Sequence, residues 1–368
     1  MIRRLVAGTN GRATRPLVRL GESALAVVAS LVIGALFLVV TGNDPLSAYG
    51  ALAVGALGGV GAIAYSLVET TPLLLAALAV GLSFRSGFFN IGAGGQVGIG
   101  GLIAAGIGGY LHVPPALLIV LMLLGGACAG AVFGAIAGVL RAFTGASEII
   151  TTLMLNYVAL LLIDFMVTGP WKASGGINQT PRIPAGARLP IVIPGTQLSI
   201  GILIALAAVV AVALLLRRTT FGYQLRMVGF NPETARAMGM SVRRIAASSL
   251  TLSGFLAGLA GAVEVAGVLG SMPQDFSIQV GFDAISASLL GGNSPLGILV
   301  ASVFLGLLAG GAPYMEATAG VSAPFIEFLE GIIIATVVAF PLVLGGLRNR
   351  SIARRTARAA IAGERDVS

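Results

Sequence analysis

The sequence predicts an all-α polytopic membrane protein of about ten transmembrane segments, with two glycine-rich helix breaks and both termini cytoplasmic. Three observations carry this. Only 10% of the 368 residues are charged and 57% are hydrophobic, whereas a soluble domain carries about 25% charge. The mean hydropathy is +0.98. Asp, Glu, Lys and Arg are absent from Ser86 to Leu140, Leu189 to Leu216 and Ala284 to Met315. A helical crossing takes about 20 apolar residues, so the first of these stretches holds two.

The elements follow in order. Arg3, Arg4, Arg12, Arg15 and Arg19 stand in an N-terminal run without acids. This resembles a signal-peptide n-region, but no small-residue cleavage site follows. Residues 1–21 therefore read as a basic cytoplasmic segment and 22–40 as a retained first span. Thr41 to Pro45 is a turn, and the small, glycine-rich 48–61 is expected at the outer surface. The remaining spans are expected at 64–84, 95–111, 115–140, 148–168, 198–216, 246–270, 281–292, 295–311 and 324–347. The 281–292 piece is too short to cross alone and reads as a half-helix or re-entrant segment. The membrane domain is thus 22–347, with an external loop at 169–197, a cytoplasmic loop at 217–245 and a basic cytoplasmic tail at 348–368.

Charge supports this layout. Five arginines in the first 19 residues, Arg85, Arg141, six between 217 and 244 and six from 348 to 365 fall inside; Lys172, Arg182 and Arg188 fall outside. Nineteen against three is the asymmetry expected of cytoplasmic loops. The net charge of +8 is therefore juxtamembrane charge facing lipid, not a nucleic-acid footprint.

There are 53 glycines, about twice ordinary usage. Gly126, Gly130, Gly134 and Gly138 line one helix face, where small residues let backbones approach in lipid. Two polar, glycine-rich breaks, Phe84 to Gln96 and Leu290 to Gly297, lie one in each half. Paired interruptions of this kind mark transporters with internal repeats.

Several chemistries are excluded. One cysteine, Cys128, and one histidine, His112, leave no disulfide and no His/Cys metal cluster. Cys128 is expected to pack among small residues and His112 to sit in an interfacial turn. The sole lysine, Lys172, is not in G-x-x-x-x-G-K-[ST], so the chain has no P-loop and any nucleotide energy comes from another chain. Gly92 to Gly101 lacks the preceding strand and acidic partner of a dinucleotide loop. No catalytic residue set appears, so an enzyme is not expected.

The loop at 217–245 carries most information. Asn231 suits an N-cap, Pro232 the first helical position, Glu233 the helix dipole and Gly239 a C′ stop. A helix of about two turns results. Ala235 and Met238 share a face at i, i+3 and offer a small apolar surface. Local chemistry allows docking into a partner's groove or lying on anionic lipid.

This loop, continuing as Ser241-Val-Arg-Arg and Ser253-Gly-Phe-Leu-Ala-Gly-Leu-Ala-Gly-Ala-Val-Glu264, resembles the permease subunits of bacterial ABC importers for simple sugars, nucleosides and branched-chain amino acids. Phe84-Arg-Ser-Gly-Phe-Phe-Asn-Ile-Gly-Ala-Gly-Gly-Gln96, Glu148-Ile-Ile-Thr-Thr-Leu-Met-Leu-Asn-Tyr157 and Gly281 to Gly297 resemble the nucleoside-type branch. The resemblance runs from about Asn43 to Gly346 with these stretches in family order. It implies a second permease subunit, homologous or identical, a pair of cytoplasmic ABC ATPases holding ATP-Mg, an extracytoplasmic substrate-binding protein, and a bacterial plasma membrane. No cofactor is implied for this chain itself. It also implies that Gly229, Asn231, Pro232, Glu233, Ala235, Arg236, Met238 and Gly239 form the ATPase-coupling element. One departure stands at Gly94, where the family pattern places a glutamate.

Polar residues within spans are functional candidates. Asn90, Gln96, Asn156, Glu264, Asp283 and Asn293 are the candidates for a translocation path, since a hydrophilic substrate needs hydrogen-bonding side chains along its way. Interhelical bonding is the alternative for each. Asp164, Glu327 and Glu330 are expected near the outer interface, and Glu148 in a helical first turn. Nucleosides are the expected cargo, with sugars or branched-chain amino acids as the alternative. Two other classes remain: a self-powered transporter using Glu264, Asp283 and Glu330 as ion sites, and a non-transporting scaffold.

Overall fold

The computed structural model describes residues 16–336 apart from 277, 323, 330 and 334. The arginines before 16, the tail beyond 336 and Glu330 lie outside the described residues. Helix is the regular structure throughout, and no β-strand occurs among the described residues; Gln179–Pro273 and Ile191–Ser199 make isolated bridges.

The helices are α1 (Pro16–Val40), α2 (Pro45–Leu57), α3 (Val60–Arg85), α4 (Ala93–Tyr110), α5 (Pro115–Thr144), α6 (Glu148–Thr168), α7 (Gly201–Arg218), α8 (Thr220–Phe230), α9 (Pro232–Ala237), α10 (Val242–Glu264), α11 (Gln279–Leu290) and α12 (Pro295–Ala319). A π-helical turn, Val265–Leu269, continues α10. Among the described residues six are long and apolar enough to cross a membrane: α3, α5, α6, α7, α10 with its π-turn, and α12. The eight glycines and Gln96 among the 18 residues of α4 lower its hydropathy. The segment 48–61, expected as a surface stretch, is largely helical: α2 is an apolar helix of 13 residues. The short α11 agrees with the half-helix expected at 281–292, its 12 residues spanning about 18 Å.

The chain divides into two compact units. In the unit of residues up to Pro45 and from Pro324, the Phe37 ring lies 4.5 Å from Phe328 and 6.0 Å from Phe325. The unit Leu46–Ala323 holds every candidate site residue. At its centre is α3, buried on all sides from Thr70 to Ser83, as a helix apolar all round must be.

Glycine decides how three helices meet beside it. A Cβ on Gly134 would come within 2.5 Å of the Leu250 carbonyl, and one on Gly138 within 2.9 Å of that of Ala247. Gly126, Gly130, Gly254 and Gly258 likewise leave no room for a methyl group between α5 and α10, and Gly100 of α4 meets the same Gly258. The expected glycine face is therefore a real interface, with backbones in direct contact. Cys128, expected to pack on α5, instead faces outward and is exposed, because the glycine face lies on the other side of the helix.

The long loop after α6 is tied down. Thr180 N–H donates to Met272 O at 3.0 Å, Ile183 N–H to Gly270 O at 2.8 Å and Leu189 N–H to Ala266 O at 2.9 Å. Trp171 packs over Gly106, where a Cβ would sit 2.6 Å from the indole. On the other side, Glu148 in the first turn of α6 pairs with Arg141 at 3.2 Å.

Candidate functional site

The break between α3 and α4 is held by a closed polar network. Asn90 is 0%, Gln96 1% and Asn156 2% exposed. Asn90 Nδ2 donates to Gln96 Oε1 and to Ser253 Oγ, both at 2.8 Å; Asn90 Oδ1 accepts from Gly92 N–H at 3.0 Å and Gln96 Nε2 at 3.2 Å. Ser253 Oγ donates a hydrogen bond to Ala79 O at 2.6 Å, which ties α10 to α3. Asn156 of α6 accepts from Gly95 N–H at 2.9 Å and donates to Ile91 O at 3.0 Å. Thr152, one turn earlier, accepts from Ile91 N–H at 3.2 Å. The irregular backbone of 86–92 would otherwise strand its amides in the interior. These amide side chains replace the missing helical partners.

The second break meets the first. Asn293 has φ +54°, in the left-handed region that few non-glycine residues adopt. Its Oδ1 accepts from Ser288 Oγ at 2.8 Å, and its carbonyl accepts from Arg85 Nε at 2.5 Å. Arg85, at the end of α3, thus joins two breaks 208 residues apart. Gly94 explains the departure from the family pattern at that position. A Cβ there would fall 2.5 Å from Ile278 O, and Gly281 in the same turn leaves no room for a Cβ of its own against Gly94. Asp283 lies on α11 and accepts from Gln279 Nε2 at 3.3 Å.

The loop at 217–245 forms two helices. Asn231 caps α9, accepting from Glu233 N–H at 2.9 Å and Thr234 N–H at 3.2 Å. Pro232 is the first helical residue, Glu233 and Arg236 lie in the first and last turns, and Gly239 has φ +78°. The expected caps are therefore in place. The shared face is not. Ala235 is 0% exposed while Met238 is 59% exposed. Met238, the C-cap residue, still donates its N–H to Thr234 O at 3.1 Å, but only the strip of the helix under Ala235 is buried. Ala235 packs inward with Phe88, Val228, Ile245 and Ala246, and the outward surface belongs to Glu233, Arg236 and Met238.

That cluster connects two candidate sites. Phe88 belongs to the α3–α4 break, Ala235 to α9. Gly229 reinforces the join, since no Cβ fits between it and the Arg85–Ser86 backbone, and Gly87, at φ +79°, faces it. Glu264 stands apart. Its Oε2 is buried without a hydrogen-bond partner beside a small cavity between α3 and the end of α10. Sequence reasoning missed Ser253, Thr152 and Arg85 as network members. Each is a common residue whose partner is far away in the chain, so no local pattern marks it.

Residues 62–338 match the family described as branched-chain amino acid transport system / permease component. The guanosine ABC transporter permease protein NupP of Bacillus subtilis is 34% identical over 338 residues, covering 89% of this chain and 96% of that protein. The glucose ABC transporter permease protein TsgB13 of Haloferax volcanii is 35% identical, covering 86% and 87%. The nucleoside ABC transporter permease protein NupB of Lactococcus lactis subsp. cremoris is 34% identical, covering 79% and 83%. No solved structure matches the chain. With six apolar helices long enough to cross a membrane among its described residues, this multi-pass membrane chain belongs to the family of ABC transporter permease components.

Proposed function

We propose that this chain is the permease subunit of an ATP-driven importer in a bacterial plasma membrane, and that it carries nucleosides. The carrying observation is its similarity to the guanosine permease NupP, spanning 96% of that protein. The glucose permease TsgB13, at 35% identity, supports a sugar as the second reading. The topology that accompanies this proposal has ten spans in 22–347, with 1–21, 217–245 and 348–368 cytoplasmic and 169–197 external. The partners are a second permease subunit, two ATPases holding ATP-Mg and a substrate-binding protein.

The geometry supports a coupling route. A partner ATPase grips the exposed Glu233, Arg236 and Met238 on α9, while Ala235 anchors the helix to Phe88. Displacement of α9 then bears on the 86–92 break through a packed contact. From there it reaches α6 and α10 through Asn156 and Ser253. Polar residues at the breaks, Asn90, Gln96, Asn156, Asp283 and Asn293 with Glu264, are the proposed path, their bonds exchanging for substrate hydroxyls in another conformation.

The test is uptake of radiolabelled guanosine and glucose into proteoliposomes holding the permease pair, with and without the ATPase and binding protein. Guanosine uptake that requires ATP and all partners supports the proposal. Proton-driven uptake by this chain alone overturns it, and glucose uptake in place of guanosine selects the second reading.

A further inference from the structure

Three arginines without acidic partners gather where two apolar helices end. Arg85 stands in the last turn of α3 and Arg217 in that of α7, both helices long and apolar enough to cross a membrane. The basic end of such a helix lies at headgroup level. Thr219 breaks α7 from α8 and accepts from Gly222 N–H at 3.0 Å, so α8 starts where the apolar helix stops. Gly229 then sets the end of α8 against the Arg85–Ser86 backbone, and Arg226 lies one turn before it. Arg217 and Arg226 are close enough to Arg85 for their charges to repel. Arg85 is half-buried and gives its Nε–H to the Asn293 carbonyl, while its Nη groups make no hydrogen bond among the described residues. Among those residues the ion pair is Arg141–Glu148, which involves none of the three. Helix C-termini favour cations at Arg85 and Arg217, but Arg226 lies in the middle of α8. An anion with several oxygens would relieve all three, and guanidinium forks match phosphate.

The outer face of α8 selects the source of that phosphate. Gly222, Leu225 and Val228 form its buried side. Tyr223, Arg226, Met227 and Phe230, at i, i+3, i+4 and i+7, form another. Tyr223 is 48% and Phe230 72% exposed; Arg226 is exposed and Met227 half-buried. No Asp or Glu occurs in α8. Aromatic and apolar side chains around one arginine suit the boundary between headgroups and acyl chains, where tyrosines and amphipathic helices collect. Free inorganic phosphate would leave the aromatic side chains uncovered, whereas a phospholipid covers them with its chains. Basic pockets between membrane helices are a recurrent way of holding anionic headgroups.

We infer that Arg85, Arg217 and Arg226, with the Tyr223–Phe230 face of α8, bind the headgroup phosphate of an anionic phospholipid. This rests neither on which cargo is carried nor on the coupling role of α9. The lipid joins the ends of α3 and α7 to α8, so its binding is read as stability in the chain by itself.

The full chain in detergent is melted while phosphatidylglycerol, phosphatidylcholine or inorganic phosphate is titrated in at constant ionic strength, and retained lipid is identified by native mass spectrometry. The expected result is a saturable rise in Tm of about 2–4 °C with phosphatidylglycerol over phosphatidylcholine, with phosphatidylglycerol retained on the chain. Arg217→Gln and Arg226→Gln should each raise the half-saturating lipid concentration about fivefold, the effect of one arginine near an anionic surface, and leave the Tm without added lipid unchanged. Arg243→Gln removes the same charge from an exposed residue in the first turn of α10 and should leave the titration as in wild type. Arg85→Gln also loses the bond to Asn293; should it fail to fold, Arg217→Gln and Arg226→Gln still decide. Equal responses to the two lipids, an equal loss in Arg243→Gln, or a rise reproduced by inorganic phosphate without lipid overturns the inference.

Discussion

Replacing Asn90 with leucine separates two roles for the buried amides. Leucine fills a similar volume but removes four hydrogen bonds, at 2.8, 2.8, 3.0 and 3.2 Å. Two groups are left without a partner in the interior, the Gly92 N–H and the Gln96 amide, while Ser253 keeps its bond to Ala79 O. A stranded buried polar group costs about 1–3 kcal/mol, and side-chain bonds within membranes average about 0.6 kcal/mol. Together these place the loss at about 2–4 kcal/mol, a fall in Tm of about 5–10 °C. The assay is thermal melting in detergent followed by Trp171 fluorescence, repeated for Gln96→Leu and the double variant. Because Gln96 is bonded to Asn90, the two losses should not add; the coupling should exceed about 1 kcal/mol. A loss below about 0.5 kcal/mol, the size of an ordinary surface change, or simple additivity would refute the reading of Asn90 as the lock of the break. Wild-type stability with lost uptake would instead assign Asn90 to the path alone.

Gly258→Ala places a methyl group against the backbones of Gly126 and Gly130, so membrane-inserted, monodisperse protein should fall sharply, with a cost of about 1–3 kcal/mol from overpacking; recovery by size-exclusion chromatography checks this. Ala235→Glu puts a charge into the Phe88 cluster and should loosen the loop, seen as faster proteolysis there, whereas Met238→Glu changes an exposed residue and should spare the fold while lowering ATPase coupling. In a Cys128→Ala background, cysteine at Thr234 should be labelled from the cytoplasmic side alone and cysteine at Ser174 from outside alone; reversed labelling would overturn the proposed orientation.

The fold was legible where its causes are local. Hydropathy located the long helices because the bilayer sets the length of a crossing. The caps of α9 were readable because Asn231, Pro232 and Gly239 act on backbone groups within three residues. The glycine register of α5 was readable because a 3.6-residue period is a property of one helix. The closeness of Ala235 and Met238 was misjudged for a related reason. An i, i+3 spacing sets two side chains about 60° apart around the axis, and α9 buries only the strip at Ala235, leaving Met238 exposed.

Tertiary structure alone decided partners and direction. In water the apolar face of a helix turns inward; in lipid either face is acceptable, so hydropathy does not say which side packs. That is why Cys128 was placed inside and found outside. Likewise, Asn90 could be marked as a buried amide from its sequence, but its bond to Ser253 crosses 163 residues. The Arg85–Asn293 bond crosses 208, and the contact that requires glycine at 94 comes from Ile278 and Gly281. The sequence by itself determined the kind of protein, its long apolar helices and its breaks, because composition and short-range backbone chemistry control those. The closed network, the inward anchor of α9 and the orphan carboxylate of Glu264 arise only when distant segments meet, because each depends on which backbones the glycines allow to touch.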